Sequence, residues 1–431
     1  MTATTPGPAG ARGAAGAEGA TGGPAAPAAP AAPAAPGAAS GAPAIHGRTA
    51  PGYEPVRDAF ERAFDGNPDM GAALAVRHRG ALVVDLWGGV ADPRTGRPWE
   101  RDTASVIFSC TKGLMSVLAA RLVAEGRLDY EAPVATYWPE FAQAGKGGIR
   151  VREILAHRSG LSAPRRAFSP AEVLDWHTVT TALAEQEPLW EPGTGYAYHA
   201  LTHGWLIGEV VRRVTGLPVR EAFARYLTEP LGADAWLGLP AHLNERVAHL
   251  WAGAGLAALV ARQAAARVPG DPDWPGRAMT LGGAFPAELV TPDGGFNDPA
   301  VRAAEIPGAG GVATARALAT LWSATVTPTE GVRLLDDVTL RSALAVQTEG
   351  APVFDVPGPY SRWAMGFQLD SEARRYLTPA GFGHDGAGGQ VAFADPSAGG
   401  VGFAFLTNQM EAEEDHRATA VVDALRETVN G

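Results

Sequence analysis

A serine and a lysine three residues apart are the first feature of this chain that could do chemistry. Ser109 and Lys112 lie in the run FSCTKGLM, and Lys146 is the only other lysine among 35 Lys and Arg residues. In a helix, residues i and i+3 share a face, with their Cβ atoms about 5–6 Å apart. The amine can therefore reach the hydroxyl, an arrangement that activates a serine nucleophile.

Cys110, the only cysteine of the chain, is a competing candidate nucleophile. Lys112 follows it by two residues, which would place the amine on a different helix face. We therefore expect Cys110 to be a small buried side chain. A single cysteine also excludes an intrachain disulfide and is consistent with a reducing compartment.

Two later segments carry further candidate side chains. Tyr198 follows a Gly/Pro-rich loop and precedes a helical pattern. A nearby lysine that lowers the pKa of Tyr198 would make this tyrosine a phenolate base. Alternatively, the Tyr198 ring packs against the start of the helix. His384 and Gly386 lie in a glycine-rich segment before a strand pattern, where a ligand can approach the backbone, although a simple turn would have the same composition.

A metal or cofactor site is not expected. His199 and His203 have an i, i+4 spacing that can bind zinc, but Ala200 stands where an H-E-x-x-H motif has glutamate, and no third ligand is apparent. The sequence also lacks a Walker phosphate-binding loop and a G-x-G-x-x-G between a strand and a helix.

The composition excludes several classes of function. A formal net charge of −11 argues against nucleic-acid binding, and a hydrophobic content of 46% suffices for a large core. The longest apolar run, near residues 250–261, is too short to span a bilayer, and the N-terminus does not resemble a signal peptide. We expect a cytoplasmic protein that acts on a small molecule without a membrane or nucleic-acid partner, while the oligomeric state stays open.

Sequence patterns also predict the elements that position these residues. Helices are expected at 55–64, 111–125, 151–156, 201–214, 251–268, 315–322 and 415–429, and hairpins at 72–87 and 390–407. The hairpins lie at both ends of the region, with helices between them. The predicted fold is therefore α+β: one antiparallel sheet flanked by N- and C-terminal helices, with a helical subdomain inserted at roughly 111–300.

Residues 1–48 are predicted to be a disordered tail before a catalytic domain at 49–431. The tail consists almost entirely of Ala, Pro and Gly, with prolines at positions 24, 27, 30, 33 and 36. That spacing favours extended chain, and the segment has no residues that could form a core.

Taken in order, the motifs resemble those of a known family. An S-x-x-K motif at Ser109 is followed about 90 residues later by Tyr198 after a Pro-Gly-Thr loop, and then by His384-Asp-Gly before a strand. The chain resembles the serine β-lactamase-like superfamily, which includes penicillin-binding proteins, class C β-lactamases, family VIII-type esterases, D-aminopeptidases and acyltransferases. The resemblance covers roughly 50–431, and supporting stretches are 154–161, 308–312 and Asn408.

The resemblance implies a role for each matched residue. Ser109 would be the acylated nucleophile, Lys112 its activator, and Tyr198 the base that also protonates the leaving group. The N–H groups of Ser109 and Ala387 would form the oxyanion hole. His384, with Gly386 in the same motif, would contact the substrate.

Two departures from the family pattern narrow the expected substrate. Ala200 replaces the Asn that usually holds an acylamide, and His384 replaces a lysine that would bind a β-lactam carboxylate. The expected function is therefore a serine hydrolase that cleaves carboxylic esters through an acyl-enzyme. The close alternative is a transacylase that passes the acyl group to an amine or alcohol. A β-lactamase, a D-aminopeptidase or a non-catalytic binding protein is less expected.

Five tryptophans could cap an apolar pocket that excludes water, or could equally belong to the core. They are Trp176, Trp190, Trp251, Trp274 and Trp363.

Overall fold

The fold is α+β, as predicted, and is built around one large antiparallel sheet. The computed structural model describes residues 43–412 and 415–430. Its strands are β1 (Ile45–Thr49), β2 (Gly71–His78), β3 (Ala81–Asp92), β4 (Arg97–Pro98), β5 (Ser105–Val106), β6 (Ala235–Leu237), β7 (Trp251–Ala252), β8 (Gly311–Ala313), β9 (Arg362–Trp363), β10 (Gln368–Leu369), β11 (Phe382–Gly386), β12 (Gln390–Asp395), β13 (Val401–Thr407) and β14 (Gln409–Met410). Its α-helices are α1 (Glu54–Arg62), α2 (Cys110–Ala124), α3 (Val151–Leu155), α4 (Trp176–Glu185), α5 (Thr202–Thr215), α6 (Val219–Phe223), α7 (Ala254–Ala266), α8 (Trp274–Thr280), α9 (Pro299–Ala303), α10 (Ala315–Val326), α11 (Asp337–Ala343) and α12 (Arg417–Asn430).

The main sheet joins the two ends of the described chain. Its strand order is β1-β3-β2-β13-β12-β11-β10-β9, with β4 beside β3, and each pair is antiparallel. Both predicted hairpins form, as β2–β3 and β12–β13. Arg79 and Gly80 turn the first hairpin with φ angles of 53° and 79°, the positive values that a two-residue type I′ turn requires.

Helices cover both faces of this sheet. On one face, α1 and α12 pack against each other and against the strands, and Phe60, Phe393, Phe405 and Leu425 belong to the core between them. On the other face, α10 lies across β2, β12 and β13, while α2 lies against β11. Helices α2 to α9 fall between β5 and β8 in the sequence, where the helical insertion is predicted.

The N-terminal boundary differs from the predicted one. Strand β1 pairs along β3, so the last residues of the predicted 1–48 tail belong to the sheet. Gly47 permits this pairing because it has a φ of 100° and lies so close to β3 that a Cβ would be 1.9 Å from the carbonyl oxygen of Asp85. Residues 1–42, the remainder of the predicted tail, lie outside the described residues.

Helix α7 is also shorter than predicted. Trp251 and Ala252 form β7, which pairs in parallel with β14, and the helix begins only at Ala254. Among residues 43–412 and 415–430, no helix is both long and apolar enough to cross a membrane.

Candidate active site

The N-terminus of α2 brings three candidate side chains into contact. Ser109 immediately precedes the first residue of α2, and Lys112 lies in its first turn. Lys112 Nζ is 2.8 Å from Ser109 Oγ, and the Tyr198 hydroxyl donates a hydrogen bond to the same oxygen at 2.9 Å. The hydroxyl of Ser109 is therefore held between an amine and a phenol that come from separate parts of the sequence.

Burial changes the acid–base properties of Lys112. Nearly every side chain of α2 is buried, and Lys112 is 0% exposed. Besides Ser109, Nζ contacts the Gly308 carbonyl oxygen at 2.7 Å, and it forms no salt bridge with a carboxylate of the described residues. Because burial disfavours the charged form, the pKa of Lys112 is well below the usual lysine value.

Tyr198 differs from the sequence-based expectation. A lowered pKa was expected from the neighbouring lysine, but burial raises the pKa of Tyr198 above the usual tyrosine value. The Lys112 amine lies 5.0 Å from the centre of the tyrosine ring, and this proximity does not offset the effect of burial on the tyrosine pKa. Tyr198 therefore donates to Ser109 Oγ in the resting site, and the lowered tyrosine pKa that a phenolate base would need is not found.

The chain enters the site through a strained residue. Phe108 has a φ of 43°, and its ring packs edge-on against Phe296 at a centroid distance of 5.2 Å. Such left-handed conformations cost about 1–3 kcal/mol in residues with side chains, and they are concentrated at functional sites. The Thr111 hydroxyl fixes this turn by donating to the Phe108 carbonyl at 2.6 Å. Ser109 is consequently held in a defined orientation.

Strand β11 ends against the segment that precedes Ser109. Gly386 is required there, because a Cβ on it would lie 2.4 Å from the Ile107 carbonyl oxygen. Within residues 43–412 and 415–430, the N–H groups of Ser109 and Ala387 donate no hydrogen bond. Both backbone donors are thus available to a substrate.

His384 is a neutral side chain at this site. It is 2% exposed, its Nδ1 lies 2.7 Å from the Asp385 carbonyl oxygen, and its Nε2 contacts no partner among the described residues. Burial, followed by the nearby Lys112, lowers the pKa of His384 to about 3. The ring therefore carries no charge near neutral pH and cannot replace a cationic lysine.

Two residues hold the Tyr198 ring: Trp363, which the sequence named only among five possible cap residues, and His157, which was not a candidate site residue. Trp363 stacks on it with a centroid distance of 5.5 Å and an interplanar angle of 20°. The fully buried ring of His157 lies 5.0 Å from Tyr198 and 4.7 Å from Trp363, and His157 has a φ of 63°. His157 belongs to the supporting stretch 154–161, which was its only signal in the sequence.

The two histidines considered as zinc ligands have other contacts. His199 Nε2 lies 2.8 Å from Ser159 Oγ, and its Nδ1 lies 2.6 Å from the Ala197 carbonyl oxygen. His203 is buried, and neither of its ring nitrogens has a hydrogen-bond partner within residues 43–412 and 415–430. In the part of the chain that the structure describes, no three His, Cys, Asp or Glu residues are grouped as metal ligands would be.

Of the other residues that the sequence named, some lie at the site and some only support the fold. Of the five tryptophans, Trp363 stacks on Tyr198, Trp274 packs against a cluster of buried alanines, and Trp176 donates to Glu209 at 2.6 Å. Asn408 is a scaffold residue, because it accepts a bond from Gly71 N–H at 2.8 Å and donates to two carbonyls at the end of β3.

Comparisons with known proteins identify the family of this chain. A family model described as Beta-lactamase matches residues 60–427. The chain belongs to the β-lactamase family. It is 36% identical over 377 residues to the esterase/β-lactamase LipL of Mycobacterium tuberculosis, a match that covers 85% of this chain and 83% of LipL.

Solved structures of β-lactamase-like proteins have the same fold. A family VIII carboxylesterase is 33% identical, with a TM-score of 0.77, over 89% of this chain and 100% of that one. A penicillin-binding protein homologue from Caulobacter crescentus is 34% identical, with a TM-score of 0.78 and the same coverage. These β-lactamase-like relatives place the chain in a family of serine hydrolases.

Cys110 should be chemically inert in the folded protein. Its side chain is 0% exposed, and burial raises the pKa of its thiol well above the usual cysteine value. We expect a colourimetric disulfide reagent to detect no thiol in the native protein and one per chain after denaturation. Cys110→Ala should retain ester turnover within about threefold. The substitution removes a single sulfur atom and so leaves a smaller cavity than truncation of a large apolar side chain would. Rapid labelling of the native protein, with loss of activity, would make the thiol a candidate nucleophile again.

Proposed function

We propose that this protein is a serine esterase that cleaves carboxylic esters through an acyl-enzyme on Ser109. One observation carries the proposal: Ser109 Oγ lies within hydrogen-bond distance of both a desolvated amine and a protonated phenol. A nucleophile, a proton acceptor and a proton donor are the groups that acyl transfer requires. The esterases among the relatives support the same reaction, and the presence of all three groups argues against a non-catalytic binding protein.

Acylation begins at the Ser109 hydroxyl. As Oγ attacks the ester carbonyl, its proton passes to Lys112, whose lowered pKa leaves a lone pair available. The carbonyl oxygen becomes an oxyanion, which the N–H groups of Ser109 and Ala387 stabilise. One such donor typically contributes about 3–4 kcal/mol to transition-state stabilisation. The N-terminus of α2 adds a favourable dipole.

Collapse of the tetrahedral intermediate then releases the alcohol. Tyr198, whose pKa is raised, gives its proton to the departing oxygen and recovers one from protonated Lys112. The proton of Ser109 is thereby transferred to the alcohol, and the acyl group stays on Oγ. Water reverses the same sequence of proton transfers in deacylation, which restores the free serine.

The charges around Ser109 favour a neutral substrate. His384 is uncharged, and Ala200 offers no amide group. A β-lactam carboxylate would therefore lack a fixed positive partner from this motif, whereas a simple ester does not need one.

A transacylase uses the same acyl-enzyme until deacylation. An amine or an alcohol then takes the place of water, and the proton transfers at Lys112 and Tyr198 are unchanged. The partitioning of the acyl group among acceptors distinguishes the two functions.

Replacement of the nucleophile gives the first test. Ser109→Ala should abolish turnover of p-nitrophenyl acetate and eliminate the acetyl adduct seen by intact-mass spectrometry of the acid-quenched wild type. Ser116→Ala is the matched control, because its buried hydroxyl lies on the same helix and donates only to the Lys112 carbonyl at 2.8 Å. An adduct that persists on Ser109→Ala would contradict the assignment. When amines or alcohols are added to the wild type, the ratio of acylated acceptor to free acid measures how much of the acyl group is transferred and how much is hydrolysed.

The pH dependence of kcat/KM tests whether Lys112 accepts the serine proton and Tyr198 donates one to the leaving group. A protonated amine cannot accept the serine proton, so kcat/KM should fall as pH decreases through the pKa of Lys112 and should reach its plateau below the usual lysine value of about 10.4. Tyr198→Phe should lower kcat about 10²–10⁴-fold, the range for loss of a general acid, while it retains this acid limb.

Lys112→Arg is the companion variant, because its side chain is charged throughout the accessible pH range. It should lack activity at every pH. If Tyr198→Phe instead removed the acid limb, Tyr198 would be the group that titrates.

A further inference from the structure

Tyr198 lies between two backbone hydrogen bonds that end on a single residue, His157. The Ala197 N–H donates to the His157 carbonyl oxygen at 3.2 Å, and the His199 N–H donates to His157 Nδ1 at 3.2 Å. These two donors belong to the residues immediately before and after Tyr198. One histidine therefore fixes the backbone on both sides of the residue that carries the phenol.

The hydrogen bond to Nδ1 also sets the tautomer of His157. A ring nitrogen that accepts a hydrogen bond carries no proton, so the neutral imidazole has its proton on Nε2. The side chain is 0% exposed, and burial lowers the pKa of His157 well below the usual histidine value. Nδ1 consequently stays an acceptor near neutral pH, and its bond to the backbone beside Tyr198 is kept.

The backbone of His157 is strained where it makes these bonds. Its φ of 63° lies in the left-handed region, which histidine, asparagine and aspartate adopt more often than other residues with side chains. The N–H of the next residue, Arg158, donates to the Glu153 carbonyl at 2.7 Å and ends helix α3 at this point. Strain of this kind persists only where the surrounding contacts hold it, and it is concentrated at functional sites.

The same segment also fixes the second ring that contacts Tyr198. The Thr348 hydroxyl donates to the carbonyl of Ala156, the residue before His157, at 2.9 Å. Thr348 and Trp363 exchange backbone hydrogen bonds at 2.8 and 3.1 Å, and the Trp363 ring stacks on Tyr198. The backbone of Tyr198 and the ring stacked on it are thus tied to adjacent residues.

We propose that His157 is a positioning residue for acyl transfer, which aims the Tyr198 hydroxyl at Ser109 Oγ and at the departing oxygen of the ester. The proposal rests on the proposed esterase function, in which Tyr198 gives its proton to the alcohol. His157 acts through Tyr198, whose hydroxyl lies 2.9 Å from Ser109 Oγ. A displacement of about 1 Å in a reacting group can cost on the order of 10²-fold in rate, so the bonds beside Tyr198 are expected to affect catalysis.

The dependence of the rate on the leaving group separates positioning from a merely structural role. Ethoxide is a poor leaving group and needs a proton as it departs, whereas p-nitrophenolate is stable enough to leave with little help. The ratio of kcat/KM for ethyl acetate to kcat/KM for p-nitrophenyl acetate therefore reports how well Tyr198 delivers its proton. A loss of folded protein lowers both values equally and leaves the ratio unchanged.

His157→Phe keeps an aromatic ring and removes the acceptor at Nδ1. It should lower kcat/KM for ethyl acetate by about 10- to 10²-fold and that for p-nitrophenyl acetate by less than about threefold. His157→Asn is the conservative variant, because its Oδ1 can accept the His199 N–H and asparagine tolerates a positive φ. With His157→Asn the ratio should stay within about threefold of the wild-type value.

His203→Phe is the matched control, since it makes the same change at a neighbouring buried histidine. The His203 ring lies 5.0 Å from that of His157, and within residues 43–412 and 415–430 its nitrogens have no hydrogen-bond partner. This variant should leave the ratio of the two kcat/KM values unchanged.

A double-mutant cycle tests whether His157 acts through Tyr198. In the Tyr198→Phe background, His157→Phe should change kcat/KM for ethyl acetate by less than about twofold, because the hydroxyl that it positions is absent. If His157→Phe does not fold, as judged by circular dichroism, His157→Gly removes the ring and the acceptor without backbone strain and should give the same change in the ratio.

Three results would overturn the proposal: equal losses for both esters, an equal loss in both backgrounds, or a His157→Asn variant as impaired as His157→Phe. Failure of the esterase function itself would be recognised separately, because the wild type would then form no acetyl adduct on Ser109 with either ester.

Discussion

The desolvated amine of Lys112 is the constraint on which the rest of the site depends. Both lysines are fully buried, and their partners differ. Lys146 Nζ donates to three carbonyls at 2.6–2.8 Å, which matches the three N–H groups of an ammonium. Lys112 has one carbonyl partner, Gly308, and the Ser109 hydroxyl. A neutral amine fits this set, because its lone pair can accept the serine proton. The apolar helix α2 is therefore part of the chemistry as well as of the core.

The pKa of Lys112 stays low only if the polar groups around its amine are uncharged and held in place. The Gly308 loop packs so closely on α5 that a Cβ at Gly204 would lie 1.9 Å from Gly308 N. Tyr198 is held by the rings of Trp363 and His157 and keeps its proton. Because the imidazole of His384 is neutral, it supplies no fixed positive charge for an anionic substrate. The same low polarity that lowers the lysine pKa thus favours uncharged esters.

The sequence predicted the fold class and the contact among Ser109, Lys112 and Tyr198, since helical spacing and motif order are local or sequential signals. It did not predict the pKa direction of Tyr198, which depends on burial by distant segments. Trp363 could not be distinguished from the other four tryptophans that could cap the pocket, because its stacking on Tyr198 is visible only in the structure. The strain at Phe108 has no sequence signal, because nothing in that residue type favours a positive φ. Strand β1 was missed because it is only five residues long, and its pairing along β3 depends on the positive φ of Gly47.

The protonation state of Lys112 can be measured directly, because the chain has only two lysines. Protein labelled with 13C at lysine Cε should give two NMR signals, which a Lys146→Met variant assigns. We predict that Lys112 titrates well below the usual lysine pKa, since burial lowers it, while burial sets the pKa of Lys146 to about 8. As pH rises, the Lys112 signal should change to that of the neutral amine well before the usual lysine value of about 10.4 is reached. A Lys112 signal that stays protonated up to the usual value of about 10.4 would contradict the account, because the serine would then have no base.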